Sequence, residues 1–394
     1  MLFRITDTLR TFFRKGDAFL LTLCLIASAF GLVLIFSATR YDPALRSSAL
    51  KQAMFLCVGV VAYVVCSFID IELVIERSWK VLMLLSFVLL FLIIPFGVEG
   101  DTGNRSWIYI DPIPFGIQPA ELTKVAFVPL LAWSLNNQRE WGISRPSSVF
   151  RVAGLTALYC GVIAALSQDF GMVLVYLFIF VIMAFAAGVK LRWFALGGSM
   201  FAVMIAAIAV LSVKSEAFMQ KFGYIVRRFT EVFTRDDPQG IGWQQTRSIL
   251  AIGSGKLTGQ GFMNGTQTQS TSEHALPARH TDEIFAVCGE EFGLIGCTVV
   301  MIILFAIIIR CFFVARNARS HLSAYIAMGF GAMLLIQTVI NVAVCLYVFP
   351  VVGLTLPFFS YGGSSILTLY AAMGIVSGVK MRSLPSWLRD RSQL

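Results

Sequence analysis

The chain has 394 residues, of which 57% are apolar and only 13% charged, with a mean hydropathy of +0.79. A soluble domain is nearer 45–50% apolar and about 25% charged, so a cytosolic enzyme, a disordered chain and a disulfide-rich secreted scaffold are all excluded. The net charge of +9 sits at the ends of apolar runs, not on one soluble face, which points to orientation in a membrane and away from nucleic acid.

A helix needs about 20 apolar residues to cross a hydrocarbon layer of ~30 Å. Ten such runs follow one another: 18–38, 52–69, 79–97, 120–136, 149–167, 170–187, 193–213, 291–314, 323–348 and 364–381. The first is too long and too poor in cleavage signal to read as a removable signal peptide. The runs are continuous instead of alternating, which predicts helices and excludes a closed β-barrel. With the N-terminus inside, the inside segments hold eighteen Lys and Arg residues and the short outside connections four, so both termini are expected in the cytoplasm. The expected fold is an all-α polytopic membrane protein with ten transmembrane helices and a large extracytoplasmic loop between the seventh and eighth. The chain reads as one membrane domain, 1–394, with cytoplasmic ends at 1–17 and 382–394 and the loop at 214–283.

A loop of that length is uncommon unless functional. Within it Phe218, Phe222, Ile225, Phe229 and Val232 recur at spacings of 4, 3, 4 and 3, with Lys221, Arg228 and Glu231 between them. That period predicts an amphipathic helix, lying either along the outer interface or against the bundle. A glycine-rich stretch, Gly253–Gly265, follows, and then Thr266–Arg279, which has no apolar period. Residues 97–119 and 349–363 are also rich in Gly and Pro, so the outer face carries nearly all the irregular backbone, where function is usually built. The eight cysteines lie in or beside apolar runs and read as small buried hydrophobes.

The glycine run lacks phosphate-loop spacing and reads as backbone able to turn sharply. His274 and His280 precede Asp282, but no third soft ligand completes a zinc site. His321 reads as a loop residue, and no GxSxG elbow occurs. Ionisable groups at membrane depth are more informative. Glu121 and Lys124 stand i,i+3 on one helical face, as an ion pair sealing a helix end or as a substrate contact. Asp169 lies in a connection of a few residues, where it can cap the sixth span. Asp282 sits where the large loop re-enters the membrane, as a helix-start acid or as a reactive carboxylate. Glu283 follows it, and Glu290 and Glu291 are expected to pair with other helices.

Four stretches carry a resemblance to a known family: Arg105-Ser-Trp107 with QPAELTK at 118–124; AIGSGKLTGQG at 251–261; LPARHTDEIFAVCGEEFGLIG at 276–296; and PVVGLTLPFFSYGGSS at 350–365. Over nearly its full length the chain resembles the SEDS proteins, the RodA, FtsW and SpoVE-like family. The resemblance implies a peptidoglycan glycosyltransferase that polymerises lipid II on the outer face of the bacterial cytoplasmic membrane, in elongation, division or sporulation. It implies Asp282 as the essential aspartate and Arg105, Gln118, Glu121 and Lys124 as polar groups lining the cavity. Lys256, Arg279 and Ser360 join them as candidate substrate-binding residues. It also implies a class B penicillin-binding protein as partner, besides lipid II and membrane lipids. No cofactor is called for with certainty, and a divalent cation (Mg or Mn) is left open. The chain departs from the family pattern at Glu283, usually Phe, at Ala278, usually Glu, at Ala120, usually Ser, and in lacking a proline before Asp169. These departures suggest that Glu283 replaces the carboxylate missing at 278, as a neighbour of Asp282 or as a metal ligand. The rival readings are a lipid-linked oligosaccharide flippase or transporter and a catalytically weakened scaffold paralogue.

Overall fold

A computed structural model describes residues 12, 14–98, 105–109, 116–214, 223, 226–228, 230–235, 242–271 and 275–383. Eleven long helices are described: α1 (Ala18–Thr39), α2 (Ser48–Phe68), α3 (Ile71–Phe91), α4 (Pro119–Arg139), α5 (Pro146–Leu166), α6 (Phe170–Ala186), α7 (Leu191–Lys214), α8 (Trp243–Ser254), α9 (Ile284–Arg316), α10 (His321–Cys345) and α11 (Gly363–Met381). The chain is thus an all-α polytopic membrane protein. Its described sheet is a two-stranded ribbon, β1 (Gly97–Val98) with β2 (Trp107–Ile108), which folds the segment before α4 back on itself.

Eight of these helices are long and apolar enough to cross a membrane. Two of the ten expected spans fall short. α6 is apolar but has 17 residues, about 26 Å at the helical rise. α4 is diluted by Glu121, Lys124 and a polar last turn. Boundaries also move. Arg77 and Lys80, expected in a connection, lie within α3, which bends at Ser78; the chain turns instead at Asp70, whose carboxylate accepts from Leu73 N (3.4 Å). α9 begins at Ile284, about two turns before the expected run at 291, because the apolar residues Ile284–Cys288 are already helical and are divided from the long apolar remainder by Glu290, Glu291 and a glycine break at Gly293.

The core lies where α10 and α11 meet α2, α4, α6 and α9, and these two helices are the most enclosed of the apolar spans. α7 has none of its apolar window buried within the chain, so its surroundings must be lipid or another protein. Of the eight cysteines Cys57 is exposed, facing away from the bundle, and Cys66 is half-buried; the other six are buried. The amphipathic helix expected over 218–232 lies largely outside the described residues, as does His274. Of its members, Arg228 donates to Val351 O (3.0 Å) and Glu231 accepts from Tyr347 Oη (3.2 Å).

Candidate active site

Asp282 is fixed through its backbone. Residues 349–363, which read as an outer loop, fold inward with Leu354, Leu356, Phe358 and Phe359 buried, and lie beneath the strand of chain that carries the aspartate. Tyr361 N donates to His280 O (2.8 Å), Ser360 Oγ to Thr281 O (2.6 Å), and Asn341 Nδ2 to both Asp282 O and Leu354 O (2.8 Å each). Three consecutive carbonyls are therefore held by groups from α10 and the inward-folded segment. The carboxylate itself is half-buried, and among the described residues no hydrogen bond reaches it. Burial pushes its pKa up to about 7, and the nearby carboxylates of Glu283 and Asp169 add to the rise.

Asp169 caps α6, accepting from Met172 N (3.0 Å) and from Gln118 Nε2 (2.8 Å). Burial lifts it to about 6, against the hydrogen bond from Met172. Gln118 opens α4, and one turn on Lys124 Nζ meets Glu121 Oε1 at 2.8 Å, with both side chains buried. Gln337 Nε2 of α10 approaches the same oxygen at 3.4 Å, while Glu121 Oε2 and Gln337 Oε1 find no partner. A strip of polar groups thus forms in which Gln118 bonds to Asp169 and Lys124 pairs with Glu121, with Asp169 close enough to Asp282 and to Glu121 for their charges to act on one another. Glu283 turns the other way. It is fully buried and accepts from Gln244 Nε2 of α8 (3.1 Å), and burial raises its pKa. Among the described residues no three His, Cys, Asp or Glu side chains cluster as a metal ion would require.

The glycine stretch after α8 has a definite task. At Gly293 (φ +65°, ψ −161°) the α9 ladder is interrupted, and its freed groups bond to that stretch. Leu294 N donates to Lys256 O (3.0 Å) and Ile295 N to Leu257 O (3.2 Å), while Gln260 N and Gly261 N donate to Glu290 O (2.9 Å) and Glu291 O (3.1 Å). Backbone approaches this close need glycine: a Cβ at Gly255 would overlap Gly289 O, and one at Gly259 would overlap Glu291 O. Glu290 does not pair with another helix. Its carboxylate gathers the next turn of loop, accepting from Gln267 N (2.7 Å) and from Thr268 N (2.8 Å) and Thr268 Oγ1 (2.6 Å). Glu291 does reach another helix, through Ser37 Oγ of α1 (2.6 Å).

A family model described as cell cycle protein, covering FtsW, RodA and SpoVE, matches residues 17–384. The chain belongs to this family. It is 33% identical over 392 residues to a probable peptidoglycan glycosyltransferase FtsW of Trichlorobacter lovleyi, covering 96% of this chain and 98% of the relative. It is 30% identical over 377 residues to the stage V sporulation protein E of Bacillus subtilis, covering 93% and 97%. Among solved structures it is similar to a chain of a peptidoglycan synthase complex that coordinates polymerization and crosslinking (TM-score 0.73, 26% identity, 96% and 99% covered). It is also similar to the rod shape determining protein RodA of Thermus thermophilus (TM-score 0.67, 26% identity, 94% and 98% covered).

In this SEDS chain the polar groups named from sequence separate into three sets. Asp282, Gln118, Glu121 and Lys124 share the strip just described. Arg105 donates through Nε to Gly97 O (2.8 Å) at the exposed ribbon, and Lys256 points outward from the glycine stretch. Arg279 and Ser360 are taken up by backbone. The Arg279 guanidinium donates to the carbonyls of Gln267 (3.3 Å), Thr268 and Ser270 (3.0 Å) and lies 3.5 Å from the centre of the Tyr41 ring. Sequence reasoning missed Asn341, Gln337, Gln244 and Asp169's link to Gln118. The signal for the first two was a polar stripe, Gln337-Thr338 and Asn341, inside an otherwise apolar run.

Proposed function

We propose that this chain is a peptidoglycan glycosyltransferase that polymerises lipid II, with Asp282 as its general base. The observation that carries this reading is a half-buried carboxylate, free of hydrogen-bond partners among the described residues, pushed up to about 7 and held on a backbone bonded at three successive carbonyls. A base with a pKa near the working pH takes a hydroxyl proton most effectively. The acceptor sugar's C4 hydroxyl attacks the donor's anomeric carbon as Asp282 removes its proton. The bond to the pyrophosphate breaks on the opposite side, and the polyprenyl pyrophosphate leaves as an anion. An α-linked donor therefore yields a β-1,4 bond in a single inverting displacement.

In this reading the exposed cations of Arg105 and Lys256 meet the pyrophosphate, as guanidinium and ammonium groups do. Gln118, Glu121 and Lys124 line the approach, and Arg279 and Ser360 act through the backbone they hold. The ten helical segments that coincide with the expected spans cross the membrane with both termini in the cytoplasm. That leaves one membrane domain with the 214–283 loop and Asp282 on the outer side of a bacterial cytoplasmic membrane. The synthase complex to which the chain is similar couples polymerization to crosslinking, which supports a class B penicillin-binding protein as partner. One observation favours a flippase instead: the buried Glu121–Lys124 pair keeps unsatisfied polar atoms, as a transport path would.

Purified protein and labelled lipid II in detergent separate the two, because no compartment exists there to transport into. Glycan polymer is expected, and Asp282→Asn is expected to slow its formation by about 10²–10⁴-fold. Absence of polymer with active partner present would favour transport; polymer at an unchanged rate in Asp282→Asn would remove the base assignment.

A further inference from the structure

A cavity of about 420 Å³ lies at the end of the bundle away from Asp282, where α9 finishes and α10 begins. Arg139 at the end of α4, Arg316 at the end of α9, and His321 and Tyr325 in the first turns of α10 line it, over an apolar floor that includes Phe312 and Met328. None of the residues lining it is acidic. The cationic and hydroxyl groups of Arg139, Arg316, His321 and Tyr325 have no hydrogen-bond or ion-pair partner among the described residues. The Tyr325 side chain is the telling one: it is only 6% exposed, yet its hydroxyl is not among the sealed polar atoms and opens to the cavity. Arg139 lies close enough to act electrostatically on both His321 and Tyr325. Four other basic groups near this end are matched by carboxylates: Arg310 and Lys380 meet Asp17, and Arg319 and Arg382 meet Asp70.

We propose that this cavity binds a phosphate-bearing anion. Two arginines present forked donors suited to phosphate oxygens, and a phenol and an imidazole add single donors from a second direction. The cavity's size is that of a small-molecule site. Its apolar floor suits a phospholipid headgroup with the start of its chains, and free phosphate shares the same chemistry. On the orientation proposed above the site faces the cytoplasmic leaflet, far from the polymerising centre, so its occupancy is read by binding and not by turnover.

The test uses the full-length protein, stripped of lipid in detergent. One arm counts phosphatidylglycerol against phosphatidylcholine retained in native mass spectrometry. The other compares melting in inorganic phosphate and in chloride at equal ionic strength. Retention of phosphatidylglycerol, or stabilisation by phosphate, is expected in the wild type, and the arm that responds identifies the source. Arg139→Gln with Arg316→Gln is expected to weaken it about tenfold or more. Tyr325→Phe, which keeps all charges, is expected to weaken it several-fold and carries the test if the double variant does not fold. Equal behaviour of wild type and every variant in both arms overturns the proposal.

Discussion

Asp282 combines a rigid backbone with an unengaged side chain, and this division decides how its proton behaves. Burial and two neighbouring carboxylates disfavour its charged form, so it titrates near 7 instead of near 4. A base acts only when deprotonated; polymerisation is therefore expected to rise with pH to a plateau above about 7 and to fall tenfold per unit well below it. Glu283→Gln removes the larger of the two charge contributions, so the acid limb of that profile should move to lower pH. A limb that stays in place would show that Asp282 is not the titrating group. The same shift bears on stability. The folded protein binds this proton more tightly than the unfolded chain, so stability present below about pH 4 is lost as pH rises to about 7. Asp282→Asn has no charge to bury. It should melt about 1–3 °C higher than the wild type at pH 8 while polymerising far more slowly, and with a smaller margin at pH 5.

At the scale of elements, the break in α9 is what joins the long 214–283 loop to the membrane bundle. Backbone groups freed within a membrane must be satisfied by protein, and here residues 256–261 supply the partners for Leu294, Ile295, Glu290 and Glu291. Gly255→Ala forces a methyl group onto Gly289 O, which should separate the two and cost about 1–3 kcal/mol. The expected signature is faster proteolysis within 253–271 together with a lowered melting temperature and reduced polymerisation. Unaltered cleavage would mean that the docking is dispensable. The sequence announced this element only in part. Its apolar runs located α1, α2, α5, α7, α10 and α11 well, because lipid imposes continuous hydrophobicity on whatever faces it. It concealed the first half of α9, where Glu290 and Glu291 face loop and helix partners that no local period reveals. It likewise concealed the inward fold of residues 349–363, whose prolines and glycines read as outer loop although Phe358 and Phe359 are buried. Asp282 was visible from its position before an apolar run, whereas the hydrogen bonds that hold its stretch of backbone come from residues 59 to 81 positions away.

Across the whole molecule the two ends of the bundle differ in kind. The end carrying Asp282 is built from irregular backbone and carboxylates. The other is laced by ion pairs, Asp17 with Arg310 (2.8 Å) and Lys380 (3.4 Å), and Arg319 with Asp70 (3.1 Å) and Glu72 (2.5 Å). Lys190, Arg192 and Arg316 lie at that same basic end. Cations concentrate on the cytoplasmic side of membrane proteins, which supports the proposed orientation with Asp282 outward. The orientation matters because a carboxylate can deprotonate a lipid-tethered sugar only on the side where that sugar is presented. In a Cys57→Ser background, where the one exposed native thiol is gone, Lys256→Cys should react with a membrane-impermeant maleimide in intact spheroplasts. Arg192→Cys should react only after lysis. The opposite pattern would place the aspartate in the cytoplasm, and an intermediate polymerised outside the cell would then lie beyond its reach.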